Sequence, residues 1–269
     1  MQVIGICRFS YPGIGGFQVK HDSIDARRAY LYAQHRMEER FRIFETITLP
    51  PLRAQSDQNF TFLVVTGNDL PTQYRDRLKA LLEDIPQAIV FERAAGKHRK
   101  VMQDAINSVR TSHTDPNLQF RMDDDDAVAC TYVERLREAA LDSRTILAKH
   151  RHIAIDFNQG FIVGLGPRGI AATPTKTPYT TAALALMFQP DVPQSVMNFA
   201  HAKVAHNMPT VTFSGEDMLL RSYNNYNDSR QRPSIRPVIL TPLDATGEAH
   251  FKSVYNIDSD HVRRVFSGS

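Results

Sequence analysis

The chain has 269 residues, 42% hydrophobic and 23% charged, with a formal net charge of +3. That composition supplies a sizeable core and excludes a disordered chain. Its basic residues form no block, which argues against a nucleic-acid partner, and its two cysteines, Cys7 and Cys130, make neither a disulfide framework nor a zinc signature.

The opening "MQVIGICRFSYPG" reads as a strand over 2–9, not as a signal peptide. Reduced thiols and this start point to a cytoplasmic protein. "MEERFRIFETITLPPLRAQ" (37–55) has apolar residues at helical spacing in its first half, and Pro50 and Pro51 are expected to end or kink the helix. "NFTFLVVTG" (59–67) is a strand by its β-branched and aromatic content. A helix follows over 70–84, with Pro71 suited to its first turn. The spacing then predicts a strand over 87–93, a helix over 97–110, a strand over 118–122 and a helix over 131–143.

Strands alternating with helices predict an α/β fold with a mainly parallel sheet. From about 150 the pattern changes. "RHIAIDFNQGFIVGLG" (151–166) suggests two strands around "NQG", followed by loop-rich stretches with five prolines. "GEDMLLRSYN" (215–224) reads as a short helix, and 227–237 as a polar loop. The chain divides into a half over 1–150 and a second half over 151–269, within one compact domain. No apolar run approaches the ~20 residues that span a bilayer. The longest, "TAALALMF" (181–188), is far too short, so any membrane contact is peripheral.

"FRMDDDDAV" places Asp123, Asp124, Asp125 and Asp126 together at the carboxyl end of the fourth strand. Adjacent carboxylates repel, so something positive is expected there: a metal ion, an arginine, or solvent with its counterions. Ligands of parallel sheets bind beyond the carboxyl ends of the strands. A D-x-D pair puts two carboxylates on one side of an extended segment, and Mg²⁺ takes one or two carboxylates with waters and phosphates. An EF-hand is rejected, because its sixth position would be Val128 rather than glycine. The phosphate-cradling loop of NTPases is absent. A phosphatase of the haloacid-dehalogenase type would use Asp124 and Asp126, but its motif normally opens the chain. The bland alternative is a solvated acidic turn before a helix.

"RFRIFETITLPPLRAQSDQNFTFLVVTGNDLPTQYRDRLKALL" followed by "FRMDDDDAV" resembles the rhamnosyltransferase family of bacteria, well over roughly 36–140 and loosely beyond. The resemblance implies a GT-A-like nucleotide-diphospho-sugar transferase fold. It implies transfer of a sugar, rhamnose by the family's label, from a nucleotide-sugar donor to a hydroxyl of a saccharide or glycolipid acceptor, with inversion and with Mn²⁺ or Mg²⁺. On this pattern Asp125 and Asp126 are metal ligands, and Asp123 and Asp124 lie on the donor. Arg8 and Phe9 close the first strand and meet the nucleotide. Thr66 and Asp69 serve the base or ribose, and His98 and Arg99 approach the diphosphate. For Lys97 and Lys100 a solvated helix face is the better reading.

The resemblance also makes Asp217 the base, with Glu216 binding acceptor, both at the start of the expected 215–224 helix. A histidine added to the cation would be His201, His206, His250 or His261, with His206 preferred. Asn158, Gln159 and Tyr179 read better as ordinary loop residues than as sugar contacts. The chain has no tryptophan, so any aromatic sugar platform falls to Tyr179, Tyr223 or Tyr226. A nucleotide-binding domain without turnover is the remaining alternative.

Overall fold

"QVIGICR" carries apolar residues on both faces and forms a fully flanked strand, β1 (Gln2–Arg8), with its interior residues buried. A computed structural model describes residues 1–15, 21–112, 114–224 and 238–268. In the first half β1 is followed by α1 (Ile24–Leu31), α2 (Gln34–Ile43), α3 (Leu49–Arg53), β2 (Thr61–Gly67), α4 (Thr72–Leu82), β3 (Ala88–Arg93), α5 (His98–Ser108) and β4 (Asn117–Asp123). A short β5 (Asp126–Val128) and the helices α6 (Tyr132–Asp142) and α7 (Arg144–Leu147) complete it. The second half contains β6 (His152–Phe157), β7 (Gln159–Gly166), β8 (Gly169–Lys176), β9 (Leu184–Phe188), α8 (Val204–Asn207), β10 (Thr210–Phe213), β11 (Leu219–Ser222), β12 (Thr241–Pro242), α9 (Ala245–Tyr255) and α10 (Ser259–Ser267).

The main sheet has the order β10-β6-β9-β4-β1-β2-β3. Its β4-β1-β2-β3 portion is wholly parallel, and β9 runs antiparallel between β4 and β6. A second sheet has the order β12-β8-β7-β11-β5. This is the expected α/β class: a mainly parallel sheet, flanked by helices, with a smaller mixed region. Phe120 of β4 lies under the main sheet between Phe62 and Tyr132, with ring centroids 6.4 and 5.2 Å away.

Three local outcomes refine the sequence reading. Pro50 and Pro51 do not end the helix. A π-helical turn at Phe44–Thr48 widens it just before them, and the chain stays helical to Arg53. The two strands around "NQG" exist, but β6 joins the main sheet and β7 the second one. The helix expected over 215–224 is absent, and its apolar centre forms β11 instead. A run of three apolar residues fits a buried strand as well as a helix. Sheet pairing decided the matter, because β11 fills the gap between β7 and β5. The 227–237 stretch and Tyr226 lie outside the described residues.

Gly160 is required where β7 meets β11. A Cβ there would sit 1.9 Å from the Leu219 carbonyl oxygen, which is backbone and cannot swing aside. Gly160→Ala is expected to lower unfolding free energy by about 1–3 kcal/mol in a urea titration, through overpacking. An unchanged midpoint would contradict this strand contact.

Candidate active site

Parallel pairing of β1 with β4 sets Arg8 opposite Asp123. The Arg8 guanidinium donates to the Asp123 carboxylate, and its Nη1 lies 3.4 Å from His98 Nε2 at the start of α5. Burial alone would push Asp123 up, but Arg8, Arg121 and Arg40 outweigh it and hold this carboxyl well below its usual range. His98 is buried. That burial, with Arg8 and Arg121, lowers its imidazole to about 3, so it stays neutral.

The chain then turns, and the next two carboxylates share one cation. Nη1 of Arg40, on α2, lies 2.8 Å from Asp124 Oδ1 and 2.8 Å from Asp125 Oδ2. Asn224 also donates to Asp125 Oδ2 at 2.8 Å. Arg40 is 3% exposed, so the contact is nearly dry. Asp124 is nonetheless pushed up to about 6, by burial first and by Asp125 and Asp123, against the pull of Arg40 and Arg36. Asp126 opens β5 and pairs across the ladder with Arg221. Burial, then Asp125 and Asp123, push its carboxyl well above the usual range.

All four aspartates line one cavity of about 80 Å³ with Arg8, Arg36, Arg40 and Arg221. Thr181 and Ser222 add to its wall. That volume suits a cation and phosphate oxygens. A whole nucleotide sugar needs several times more, so most of the donor would lie across the rim.

Arginine is therefore part of what makes the acidic run tolerable. The donor set also fits a hard divalent cation. Arg40 and Asn224 both engage Oδ2 of Asp125, which leaves Oδ1 to coordinate. Asp126 is a buried carboxyl disfavoured by its acidic neighbours, and a cation would relieve that repulsion. Among the described residues no three acid, histidine or cysteine side chains converge as a ready-made cage. Phosphate oxygens and waters would supply the remaining positions.

Other expected site residues are placed elsewhere. Phe9 is fully buried in the core against Phe41 and Phe44, with both ring centroids at 5.0 Å. Thr66 is likewise fully buried in β2. Asp69 accepts from Tyr32 Oη at 2.8 Å and pairs with Arg28, so it fastens α1 to the loop after β2. Arg99, Lys97 and Lys100 are exposed at the start of α5. His206 is exposed on α8, which leads the chain back to the amino end of the sheet at Thr210, away from the aspartates. His261 lies 3.4 Å from Glu45.

The expected base is also displaced. Asp217 precedes a strand, so no helix dipole acts on it. Its Oδ1 accepts from Gln159 Nε2 at 3.0 Å, and its Oδ2 lies 3.0 Å from His250 Nε2. It stands four residues before Arg221, roughly 13 Å along an extended chain from the level of Asp126. Glu216 is bound by Arg135 through both oxygens, at 2.7 and 2.8 Å. Asn158 accepts from Ser214 at 3.0 Å, which together with the Gln159 contacts makes this a structural corner. Asp217→Asn is expected to change turnover by less than about tenfold, since it does not line the cavity. A loss of 100-fold or more with an unaltered melting temperature would restore Asp217 as the base.

Arg36, Arg40, Arg221, Thr181 and Asn224 were not anticipated from the sequence. Arg36 and Arg40 are four residues apart on α2, and one helix face carrying two arginines toward four acids is the signal that was available.

A family model described as "Putative rhamnosyl transferase" matches residues 2–236. No curated protein sequence matches the chain. Among solved structures, S. aureus TarS 1-349 is 11% identical with a TM-score of 0.43, over 82% of this chain and 60% of that one. The same protein in complex with UDP gives 11% and 0.45, over 83% and 61%. Its complex with UDP-GlcNAc gives 12% and 0.45, over 85% and 60%. The chain thus spans about 60% of the length of these TarS structures. The family model covers nearly the whole chain, including every strand of the parallel sheet and the acidic run, and the chain belongs to the rhamnosyl transferase family of glycosyltransferases.

Proposed function

We propose that the protein moves a sugar, rhamnose in the first instance, from a nucleoside diphosphate to a hydroxyl of a saccharide or glycolipid. The observation that carries this reading is the single cavity shared by four carboxyls and four guanidiniums, beyond the carboxyl ends of β1 and β4. A diphosphate is an anion that needs both the arginines and a cation on the acids.

Arg221, exposed at the rim, meets the leaving diphosphate, and Arg8 fixes Asp123 for the donor's ribose. Arg40 sets the directions of Asp124 and Asp125. Asp125 and Asp126 are the residues that would hold Mn²⁺ or Mg²⁺, which when bound would supply neutralising charge for the diphosphate. The transfer is a single displacement, with inversion at the sugar. No helix of the described residues is long and apolar enough to cross a membrane. A cytoplasmic site of action, with any membrane contact peripheral, goes with this proposal.

The test is nucleoside diphosphate release from dTDP-rhamnose, UDP-glucose, UDP-GlcNAc and GDP-mannose, with Mn²⁺ or Mg²⁺ present. Enzyme-dependent release from one of them supports the reading. Release from none would sink it.

A further inference from the structure

A second cavity, of about 470 Å³, adjoins the acidic one, and Ser222 lines both. Two elements wall the pair. On α2, Arg36 and Arg40 line the acidic cavity, while Glu39 and Ile43 line the second. Each of these pairs is spaced by four residues and so shares one helix face. At the end of β11, Arg221 lines the first cavity, and Tyr223 and Asn224 line the second. The antiparallel hairpin of β7 and β8 adds Leu165, Arg168 and Ile170 to the second.

Tyr223 is held at this junction. Its N–H donates to the Val163 carbonyl at 2.7 Å. The next residue, Asn224, donates to Asp125 Oδ2 at 2.8 Å and to Ser222 Oγ at 3.2 Å. Tyr223 is nonetheless 38% exposed, so part of it is open to a ligand. An aromatic ring has an electron-rich face. The C–H face of a pyranose is apolar, and its weakly positive hydrogens lie well on such a ring.

Charge separates the two cavities. The acidic one carries four guanidiniums, which suit a diphosphate. The second has one acid, Glu39, and one base, Arg168, neither with a hydrogen-bond or ion-pair partner among the described residues. A carboxylate accepts from hydroxyls and a guanidinium donates to them, so this lining fits a neutral polyol. Ser10 and Tyr11, which follow β1 and line the acidic cavity, do not line the second. The volume suits a ligand of disaccharide size.

We propose that the second cavity binds the saccharide acceptor, with Tyr223 against a pyranose ring and Glu39 and Arg168 on its hydroxyls. The shared wall at Ser222 sets that ring beside the donor. The inference rests on the glycosyltransferase reading.

The test measures transfer from dTDP-rhamnose, or from the donor that wild type prefers. The acceptors are the methyl glycosides of rhamnose, glucose, galactose and N-acetylglucosamine, and hydrolysis of the donor by water is the reference. Wild type is expected to glycosylate at least one of them. Tyr223→Ala should lower kcat/KM for that glycoside about 3–10-fold relative to hydrolysis, and Tyr223→Phe, which keeps the ring, should restore it. Gly166 also lines the cavity, and a Cβ there meets no heavy atom within 4 Å, so a larger side chain has room. Gly166→Phe should lower the same ratio about tenfold or more by occupying acceptor space. Affinity for the nucleoside diphosphate in Mn²⁺ should stay within about threefold of wild type in all three variants. Transfer kept by both Tyr223→Ala and Gly166→Phe would overturn the proposal, as would a loss of nucleotide affinity that accounts for the lost transfer. Should Gly166→Phe fail to fold, the Tyr223 pair decides. Donor hydrolysis by wild type without transfer to any glycoside sinks this inference alone. If wild type releases no nucleoside diphosphate from any donor, the glycosyltransferase reading fails and this inference fails with it.

Discussion

Arg40→Met is expected to lower unfolding free energy by about 3–5 kcal/mol at pH 7.5, the usual cost of leaving buried charge without its partner. One guanidinium nitrogen serves both Asp124 and Asp125, and all three residues are nearly inaccessible. Methionine fills the volume, so the loss reports charge and not a cavity. Its pH dependence is a second signature. Asp124 already sits near 6, raised by burial against the opposing pull of Arg40, and without Arg40 it rises further. A carboxyl with a raised folded pKa costs stability above that pKa and none once both states are protonated. The penalty is therefore full above the variant's raised pKa and shrinks as pH falls toward about 6, where Asp124 is protonated in both folded proteins. Urea titrations at several pH values measure this. A penalty below 1 kcal/mol, or one that does not change with pH, would contradict the shared ion pair. Arg40→Lys keeps the charge and should lose less.

Asp126→Asn should have the opposite profile. The fold is expected to survive with equal or greater stability at pH 7.5, because the substitution removes a carboxyl disfavoured by burial and by Asp125 and Asp123. Turnover of the sugar donor is expected to fall about 10²–10³-fold, the scale of losing one preorganised charge contact in a water-poor site. Binding of Mn²⁺ in the presence of nucleoside diphosphate should weaken in parallel. A variant that keeps wild-type turnover would remove Asp126 from the cation site. One that fails to fold would make it a structural residue.

Together these two variants separate the acids held by Arg40, Asp124 and Asp125, from Asp126. Asp123, Asp124 and Asp125 are tied to arginines of neighbouring elements, which hold the segment in place. Asp125 and Asp126 face the shared cavity with donor capacity to spare. The four acids thus meet Arg8 at Asp123, one shared Arg40 at Asp124 and Asp125, and Arg221 across the ladder from Asp126, and repulsion between them is balanced by arginines that come from β1, α2 and β11.

The first half of the fold was legible because its signals are local. Each strand from β1 to β4 is a short apolar run bounded by turn residues, and the helices between them show helical spacing. The second half depends on long-range pairing. β11 was read as a helix because "MLL" has no period of its own, and only contact with β7 and β5 makes it a strand. β9 was noticed only as a run too short for a membrane. The last two helices went unread, although Asp244 and Asp258 cap them by accepting from Gly247 and His261 N–H at 2.8 and 2.9 Å. Caps of that kind are visible in sequence.

The site shows the same division. The aspartates were legible because no folding reason gathers four of them. Arg36 and Arg40 were not, since "QHRMEERFRI" looks like a solvated helix face while both arginines are buried, at 2% and 3% exposure. Phe9 and Thr66 were assigned by position at strand ends, but a strand's side chains alternate between faces, and these two turn inward. His201 was one of four histidines without context in the sequence; it gains a context only through the Tyr179 carbonyl.

The most direct test of the acidic cavity as a donor site is a melting-temperature series. Wild type and Asp126→Asn are heated with dTDP, UDP, GDP, CDP or ADP, each with and without Mn²⁺. A ligand that binds only the folded state raises the midpoint by mass action. The account predicts that one nucleoside diphosphate with Mn²⁺ raises the wild-type midpoint more than either component alone, and that Asp126→Asn loses the joint effect. No rise with any nucleotide, or an equal rise in the variant, would contradict it.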